Sequence, residues 1–337
     1  MQPPRRVTIA DVARHAGVST MTVSRVVNGS PLVNPATRRQ VERALRDLGY
    51  IPNRAARSLV VNRLGVLALL IPDISNPFFP LLVRGAEAAA REAGYALVLG
   101  NSDEDLDREA AFLRAVCSLG VDGVLLAPAG DRSGPNLDLL ARQGTSFVLI
   151  DRGADGVAAD IVRGESRAAT CRLTEHLLEH GHRRIAMLSG PMDVMSAQHR
   201  MLGYLDALRT HDLPVDVPLV RHAPYTRAGG YREALELLGA ADRPTALVTA
   251  NNFLAFGAID AARERGLAVP EEVAIVTFDD VEIVAEQPFL SCAAQPAEAI
   301  GRLALERLIA RLDGDESPPH ELVLDTKIRI RRSCGCP

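Results

Sequence analysis

The sequence of 337 residues predicts a fold in two parts, a small α-helical head and a larger α/β body. Up to residue 52, three short segments carry helix-capping residues and apolar positions at helical spacing. From residue 64 onwards, short apolar segments alternate with longer amphipathic stretches, which is the pattern of parallel strands joined by helices. Charge divides the chain near the same place. Residues 1–63 hold 11 arginines and three acidic residues, whereas the remainder holds 27 basic and 39 acidic residues.

A basic head on an acidic body indicates nucleic-acid binding, although surface charge alone can produce such a division. The composition is ordinary for a globular protein, since 47% hydrophobic residues suffice for a large core. The chain contains no run of about 18 apolar residues that would predict a membrane span. Its first residues lack the apolar segment of a signal peptide, and its five cysteines are too irregularly spaced to predict disulfides. We therefore expect a cytoplasmic protein.

The head, residues 1–52, contains the signals of three helices. Thr8 is predicted to cap the first helix, with Asp11 completing a capping box, and Gly17 follows its end. Ser19 is predicted to cap a second helix over 20–28. The third helix has an N-cap, a proline at its first position and a terminal glycine, which are Asn34, Pro35 and Gly49. Two short helices around a glycine turn, braced by a third, form a helix-turn-helix unit.

Three segments of the head carry a family pattern: Val7–Asn28, which begins Val-Thr-Ile-Ala-Asp-Val-Ala and ends Val-Ser-Arg-Val-Val-Asn, then Val33–Arg38 and Leu48–Leu59. The pattern closely resembles the head of the lac repressor (LacI/GalR) family. The resemblance implies a transcription regulator whose second helix enters the major groove of double-stranded operator DNA. The head residues that it implies in DNA binding are Thr8, Ser19, Thr20, Met21, Thr22, Ser24, Arg25 and Asn28.

Within that set, the resemblance implies that Thr20, Met21 and Arg25 read base edges. Arg25 can pair bidentately with guanine, whereas Met21 can offer only an apolar contact, for example to a thymine methyl group. The family more often has a polar residue at the Met21 position, so the resemblance does not indicate which operator sequence this protein prefers. The phosphate contacts, which position the protein without specifying sequence, are expected from Ser19, Thr22, Ser24 and Asn28.

The segment 53–63 connects the head to the body. From its residues alone it is a short linker, because an isolated helix of this length is marginal. The family resemblance implies instead a hinge helix that is ordered when two subunits pair on the operator. Leu59 then corresponds to a residue that wedges into a minor-groove step, with Ala56 packed beside it. Asn53, Ala56 and Leu59 are accordingly predicted to contact DNA.

The body, 64–332, is predicted to contain parallel sheets with crossover helices. The clearest strands fall at 64–71, 95–100, 123–127, 146–150, 185–189, 245–249 and 273–278, and the clearest helices at 80–93, 166–180, 199–210 and 254–265. The resemblance implies a body like that of periplasmic sugar-binding proteins, in which two doubly wound parallel-sheet lobes hold a ligand at the carboxyl ends of their strands. Lobe one is expected at about 64–163 and 293–325, and lobe two at about 164–292 and 326–332.

Local motifs of the body match the family's effector-binding positions, which the resemblance places at Asn76, Phe78, Phe79, Asp151, Arg152, Arg200, Tyr225, Asn251, Asp279 and Gln295. The set suits a sugar, because carboxylates and amides accept from hydroxyls, guanidinium groups donate, and rings cover an apolar face. Single residues also have structural explanations, such as core packing for Phe78 and Phe79 or an ion pair between Asp151 and Arg152. The set contains two Asp and two Arg, so its charges do not distinguish a neutral sugar from a sugar acid as the ligand.

Two body positions depart from the family pattern. Asn252 stands where the family usually has Asp, and Thr277 where it usually has Gly. We expect Thr277 to add bulk near the floor of the pocket, so the ligand can differ from those of close relatives.

A separate pattern suggests metal chemistry. His176-Leu-Leu-Glu-His180 fits the H-x-x-E-H pattern of zinc peptidases, because histidines four residues apart share a helix face. However, Gly181 ends the predicted helix, and cationic side chains suit a helix end. Cys334 and Cys336 could bind metal or form a disulfide, but we interpret them as part of a loose C-terminal tail. We predict no metal and, without a P-loop or G-x-G-x-x-G motif, no cofactor.

Together these features predict a homodimeric repressor of a carbohydrate-utilisation operon, with operator DNA and a sugar-like effector as partners. Only ten residues follow Lys327, too few for a tetramerising coil, so a dimer is favoured over a tetramer. The alternatives are an enzyme of the zinc-peptidase or sugar-modifying class and a regulator controlled by a protein partner. The effector's identity, the operator and the direction of the response stay open.

Overall fold

The computed structural model describes residues 7–50, 63–281 and 289–336. The chain divides into two compact units, Met1–Gly65 and Val66–Pro337. The first contains helices and the second contains two β-sheets with helices, so both predicted fold classes are present. The predicted hinge contacts of Asn53, Ala56 and Leu59 lie outside the described residues.

Three helices form the head, namely α1 (Ile9–His15), α2 (Thr20–Val27) and α3 (Pro35–Asp47). The three predicted N-caps are confirmed. The side chains of Thr8, Ser19 and Asn34 each accept a hydrogen bond from a backbone N–H in the first turn of the helix that follows. One valine from each helix is completely buried in a common core, and these are Val12, Val23 and Val41.

Two six-stranded sheets form the second unit. The first contains β1 (Val66–Ile71), β2 (Ala96–Asn101), β3 (Gly123–Leu126), β4 (Ser146–Ile150), β5 (Ile161–Gly164) and β11 (Glu321–Leu324). The second contains β6 (Ile185–Ser189), β7 (Val220–His222), β8 (Ala246–Thr249), β9 (Ala274–Phe278), β10 (Ser291–Ala294) and β12 (Lys327–Arg329). Their orders are β11-β5-β4-β3-β1-β2 and β12-β10-β9-β8-β6-β7. Among the described strands only the β10–β12 pair is antiparallel, so both sheets are parallel-dominated.

The described helices of this unit are α4 (Phe78–Glu92), α5 (Leu106–Leu119), α6 (Gly134–Arg142), α7 (Arg167–Glu179), α8 (Met195–Thr210), α9 (Arg227–Gly239), α10 (Asn252–Glu264) and α11 (Ala297–Leu312). Most of them join two parallel strands of one sheet, as in doubly wound folds. The chain passes between the sheets after β5, after β10 and after β11. In the part of the chain that the structure covers, no helix is long and apolar enough to cross a membrane.

The C-terminal residues are packed against the second sheet, so the prediction of a loose tail at Cys334 and Cys336 was wrong. Arg332–Cys334 forms a short 3₁₀ turn, and Cys334 is buried. The hydroxyl of Ser333 donates to the carbonyl of Ile275 in β9 at 2.6 Å. A buried turn that bonds to a central strand is part of the fold of this lobe.

Candidate functional site

A cavity of about 280 Å³ lies at the carboxyl ends of strands from both sheets. Residues that follow β1, β2 and β4 line one side, and residues that follow β6, β7, β8 and β9 line the other. Ligands of doubly wound sheets bind at these strand ends, where loops can present polar side chains without interrupting the sheet. The cavity is therefore the candidate binding site of the body.

Nine of the ten predicted effector residues line this cavity: Asn76, Phe78, Phe79, Asp151, Arg152, Arg200, Tyr225, Asn251 and Asp279. The tenth, Gln295, is not among the described lining residues. Its side-chain amide donates to Asp279 Oδ1 at 2.8 Å, so it orients a lining carboxylate. The structure thus brings the predicted residues together, while their contact with an effector stays a prediction.

Further lining residues were missed by the sequence analysis: Asp73, Asp103, Glu104, Pro191, Ser196, Pro224, Thr226 and Phe253. Asp103 and Glu104 lie in an acidic segment directly after β2. That position, polar residues at the carboxyl end of a predicted parallel strand, was the signal that could have identified them.

The two departures from the family pattern have structural explanations. Thr277 is buried and is not among the described lining residues, so it does not add bulk to the cavity; its hydroxyl donates to the carbonyl of Phe278. Asn252 is also buried, and its side-chain amide donates to Asn76 Oδ1 at 3.0 Å. Since Asn76 follows β1 and Asn252 follows β8, this hydrogen bond links the two lobes. An ionised Asp at that position could not donate it.

Arg152 is held in a fixed orientation on the first lobe. It is 2% exposed, and its two terminal nitrogens donate to the two carboxylate oxygens of Glu104 at 3.0 Å each. Burial disfavours the cation, but the charges of Glu104 and Asp151 outweigh it and raise the pKa of Arg152. The guanidinium group is therefore charged and already paired with a carboxylate.

Arg200 is held on the second lobe by an aromatic ring and a backbone carbonyl. Its guanidinium carbon lies 3.9 Å from the centroid of the Phe278 ring, and Nη1 donates to the Ala250 carbonyl at 2.7 Å. Within the described parts of the chain, three buried polar atoms of lining residues have no hydrogen-bond partner: Nε of Arg152, which lies 3.7 Å from Asp151 Oδ2, Nε of Arg200 and the hydroxyl of Tyr225. Buried polar groups normally have partners, so these atoms are candidates to bond a ligand.

The two aspartates of the predicted site have a similar backbone geometry. Asp151 follows β4 with φ of 64°, and Asp279 follows β9 with φ of 69°, both in the left-handed region that few non-glycine residues adopt. Such strain is often found at functional sites. Burial raises the pKa of Asp279 to about 6, although Arg200 and the hydrogen bond from Gln295 act in the opposite direction. Asp279 therefore changes between its protonated and ionised forms near pH 6.

In the head, α2 presents a polar and exposed face opposite its buried valines. Val23 and Val26 pack into the core, whereas Thr20, Met21 and Arg25 are exposed, with Met21 62% exposed. The remaining predicted contacts Thr8, Ser19 and Asn28 are also exposed, and Thr22 and Ser24 are half-buried. This arrangement fits a recognition helix, because the buried stripe fixes the helix and leaves the opposite face exposed. Contact of these residues with DNA stays a prediction.

The chain combines a helix-turn-helix head with a two-lobed α/β body that contains a polar cavity. This combination defines a class of DNA-binding regulators that respond to small molecules. Family models support both parts. Residues 8–53 match the model described as bacterial regulatory proteins, lacI family, and residues 174–334 match the model of a periplasmic binding protein-like domain.

Similar proteins cover nearly the whole chain. The HTH-type transcriptional regulator CelR of Thermobifida fusca is 35% identical over 343 residues, 99% of this chain and 100% of CelR. The ribose operon repressor of Escherichia coli K12 is 34% identical over 307 residues, 90% of this chain and 93% of the repressor. The chain therefore belongs to the lacI family of bacterial regulatory proteins, whose members are transcriptional regulators and not enzymes.

Two solved structures show the same architecture. The lac repressor dimer bound to operator and the anti-inducer ONPF is 25% identical, with a TM-score of 0.86 and coverage of 98% of this chain and 99% of that one. The CelR–cellobiose complex is 33% identical, with a TM-score of 0.74 and coverage of 97% and 100%. The predicted fold, a helix-turn-helix head with two parallel-sheet lobes, is thereby confirmed.

Proposed function

We propose that this protein represses a carbohydrate-utilisation operon by binding a palindromic operator as a homodimer, and that a neutral sugar in the cavity sets its operator affinity. The observation that carries the sugar assignment is the charge of the lining. Among the described lining residues are five carboxylates and two guanidinium groups, namely Asp73, Asp103, Glu104, Asp151, Asp279, Arg152 and Arg200.

This charge balance favours a neutral ligand over a sugar acid. Arg152 is already paired bidentately with Glu104, and the positive charge of Arg200 partly offsets the burial that raises the pKa of Asp279. An anionic ligand would thus meet an excess of negative charge, and burial of an unpaired charge is costly. Neutral hydroxyls can instead donate to the carboxylates and accept from the two guanidinium groups.

Ring contacts and cavity size support the same class of ligand. The rings of Phe78 and Phe79 lie edge to face with centroids 5.0 Å apart and line the cavity, which suits the C–H face of a pyranose. A volume of about 280 Å³ lies just below the range of about 300–1,000 Å³ for ligand pockets, so a ligand as small as a mono- or disaccharide is favoured. CelR, a relative, has been solved with cellobiose.

The dimer is supported by the geometry of DNA recognition and by an exposed apolar edge. A single helix-turn-helix unit reads one half-site, so a palindrome requires two. In the body, β2 forms one end of its sheet, and Val98 and Leu99 on it are 40% and 42% exposed. Apolar side chains on an unpaired edge strand favour association with a second surface. The lac repressor structure, a dimer on its operator, has the same architecture.

The proposal is tested by calorimetry of the full chain with glucose, ribose, cellobiose and glucuronate, followed by operator binding with each ligand. We expect a neutral sugar to bind more tightly than glucuronate and to change operator affinity, and the free protein to sediment as a dimer. Binding of glucuronate alone would contradict the neutral-sugar assignment. If none of a broad panel of sugars bound, control by a protein partner would become the better explanation.

Sugar affinity is expected to fall as the pH decreases through about 6, the raised pKa of Asp279. If sugar hydroxyls donate to the carboxylate, binding must displace its proton, so affinity should drop by about tenfold per pH unit well below this pKa. The raised pKa also affects the stability of the free protein. The native state binds the proton of Asp279 more tightly than the unfolded state, so the free energy of unfolding should decrease as the pH rises from about 4 to 6. Calorimetry between about pH 5 and pH 8 measures the profile, with Asp279→Asn as the control that should flatten it. A profile that is flat in the parent protein would show that Asp279 does not bind the sugar as a carboxylate.

A further inference from the structure

Two histidines and two cysteines converge on the second lobe, although they come from opposite ends of its sequence. His176 lies in the last turn of α7, and His180 caps that helix. The Sγ atom of Cys336 lies 3.3 Å from His176 Nε2 and 3.2 Å from His180 Nε2, and Cys334 Sγ lies 3.4 Å from His176 Nε2. None of the four is among the described residues that line the sugar cavity.

The histidine rings are oriented so that their outer nitrogens face the cysteines. The two rings lie one helical turn apart with centroids separated by 4.3 Å. His180 Nδ1 lies 2.7 Å from the carbonyl oxygen of His176, a geometry in which Nδ1–H donates. That hydrogen bond leaves the lone pair of His180 Nε2 directed towards Cys336 Sγ, and a carbonyl partner of this kind commonly orients a metal-binding histidine.

The end of the chain is fixed by its own contacts, independently of the histidines. Ser333 bonds to β9, as described above, and its hydroxyl also accepts from the Ser291 N–H at 2.8 Å. Gly335, with φ of 83°, provides the left-handed turn between the two cysteines. The Ser291 hydroxyl donates to the Arg331 carbonyl at 2.8 Å and also lies 3.1 Å from Cys334 Sγ, so it can rotate to donate to a thiolate there. The backbone thus holds both sulfur atoms on the side that faces α7.

We propose that His176, His180, Cys334 and Cys336 form a structural zinc site that joins the C-terminal turn to α7. In a tetrahedral zinc centre with Zn–S of about 2.3 Å and Zn–N of about 2.1 Å, a sulfur and a nitrogen ligand are about 3.6 Å apart. The three S···N distances of 3.2–3.4 Å are slightly shorter, so these pairs need only small side-chain movements to accommodate the ion. His180 lies outside the three donors that are within 4.8 Å of one another, so its ring must also move closer to them. Two thiolates and two imidazoles form a set that zinc prefers in tetrahedral geometry.

The donor set distinguishes this site from the zinc-peptidase pattern that the sequence suggested. A catalytic zinc keeps one position open for water, with three protein ligands. Here the donor atoms of His176, Cys334 and Cys336 all lie within 4.8 Å of one another, and His180 Nε2, 3.2 Å from Cys336 Sγ, is the fourth donor of the proposed site. Cys334 is buried against the second sheet. A closed site of this kind stabilises the fold, because zinc binds the assembled ligands more tightly than the unfolded chain. The site is independent of the proposed sugar and operator.

Metal analysis of the untagged full chain, purified under reducing conditions, tests the proposal. We expect one zinc ion per chain, a lower melting temperature after removal by a chelator, and recovery when zinc is returned. Cobalt(II) in place of zinc should give the absorption of a tetrahedral ion and a thiolate-to-cobalt charge-transfer band. Cys336→Ser and His180→Gln should each weaken zinc binding by more than about a hundredfold, since loss of even an outer partner of a metal ligand costs about 10–100-fold.

Matched variants separate the site from general thiol or imidazole binding. Cys117→Ser removes a cysteine outside the cluster, and His182→Gln removes a nearby histidine whose Nδ1 lies 2.9 Å from Thr245 Oγ1. Both should keep the zinc ion and its effect on melting temperature. Circular dichroism of metal-free Cys336→Ser should match that of the metal-free parent, because Cys336 is only half-buried and lies outside the described helices and strands. A reduced parent protein without bound zinc or cobalt would overturn the proposal, as would equal zinc binding by Cys336→Ser. A Cys334–Cys336 disulfide that zinc does not prevent would also overturn it.

Discussion

Arg200→Ala is expected to give a protein that binds operator DNA normally and no longer responds to its sugar. Arg200 is 3% exposed, and its buried Nε has no hydrogen-bond partner among the described residues, so we expect a ligand oxygen to bond this atom. A hydrogen bond to a charged group contributes about 1.5–3 kcal/mol, so the variant should bind sugar roughly tenfold to a hundredfold more weakly. The head is a separate unit with its own core, and its intrinsic affinity for DNA should change little.

The response is lost because a ligand shifts operator affinity only through its different affinities for the two conformations of the body. If the sugar is an inducer, Arg200→Ala stays on the operator in its presence; if it is a corepressor, the variant never reaches full operator affinity. Arg209→Ala is the matched control, since it removes an arginine of the same helix, α8, that is 79% exposed. Calorimetry is the direct measurement because the chain contains no tryptophan. Unchanged sugar affinity in Arg200→Ala would refute the assignment of this cavity.

Apolar runs explain which strands could be predicted from the sequence. In most strands the run reflects burial, although the exposed edge strand β2 also has one, Ala96–Leu99. Residues Leu67–Ile71 of β1 are completely buried, and a parallel strand covered on both faces is a continuous apolar segment that stands out in the sequence. By contrast, β7 has three residues and β11 is largely exposed at the end of its sheet, so neither has a distinctive pattern. These two strands form because of the strands that lie next to them in space, and the hydrophobic periodicity of the sequence gives no information about those neighbours.

The residues of the candidate sites also fall into two groups: those in local sequence motifs, which could be predicted, and those that meet only through long-range contacts, which could not. Motifs such as Ile150-Asp-Arg152 could be recognised because each is contiguous in the sequence. Glu104, the partner of Arg152, is 48 positions away and has no pattern of its own. His176 and Cys334 are 158 positions apart, and each alone had an ordinary explanation as a helix end or a tail residue. Only the fold shows that these side chains meet.

Arg25→Ala is expected to reduce affinity for the preferred operator by about 1–3 kcal/mol and to relax specificity at one base pair. Arg25 is exposed on the polar face of α2, while Val23 and Val26 on the opposite face fix the helix in the core. Because the substitution removes an exposed side chain and leaves that core intact, the melting temperature of the head should not change. Operator variants, each altered at one base pair and measured at a single salt concentration, identify the relaxed position.

The comparison that decides the role of Arg25 is between operator and random DNA. A bidentate contact to guanine exists only on the correct sequence, so Arg25→Ala should narrow the difference in affinity between the two DNAs. Arg14→Ala is the control, because it removes an equally charged side chain that is 76% exposed on α1 and pairs with Asp11. That variant should weaken binding to both DNAs by the same small factor, if it acts through phosphate attraction alone. Should Arg25→Ala behave like Arg14→Ala, with equal losses on both DNAs, Arg25 would be a phosphate contact, and specificity would have to come from Thr20 and Met21.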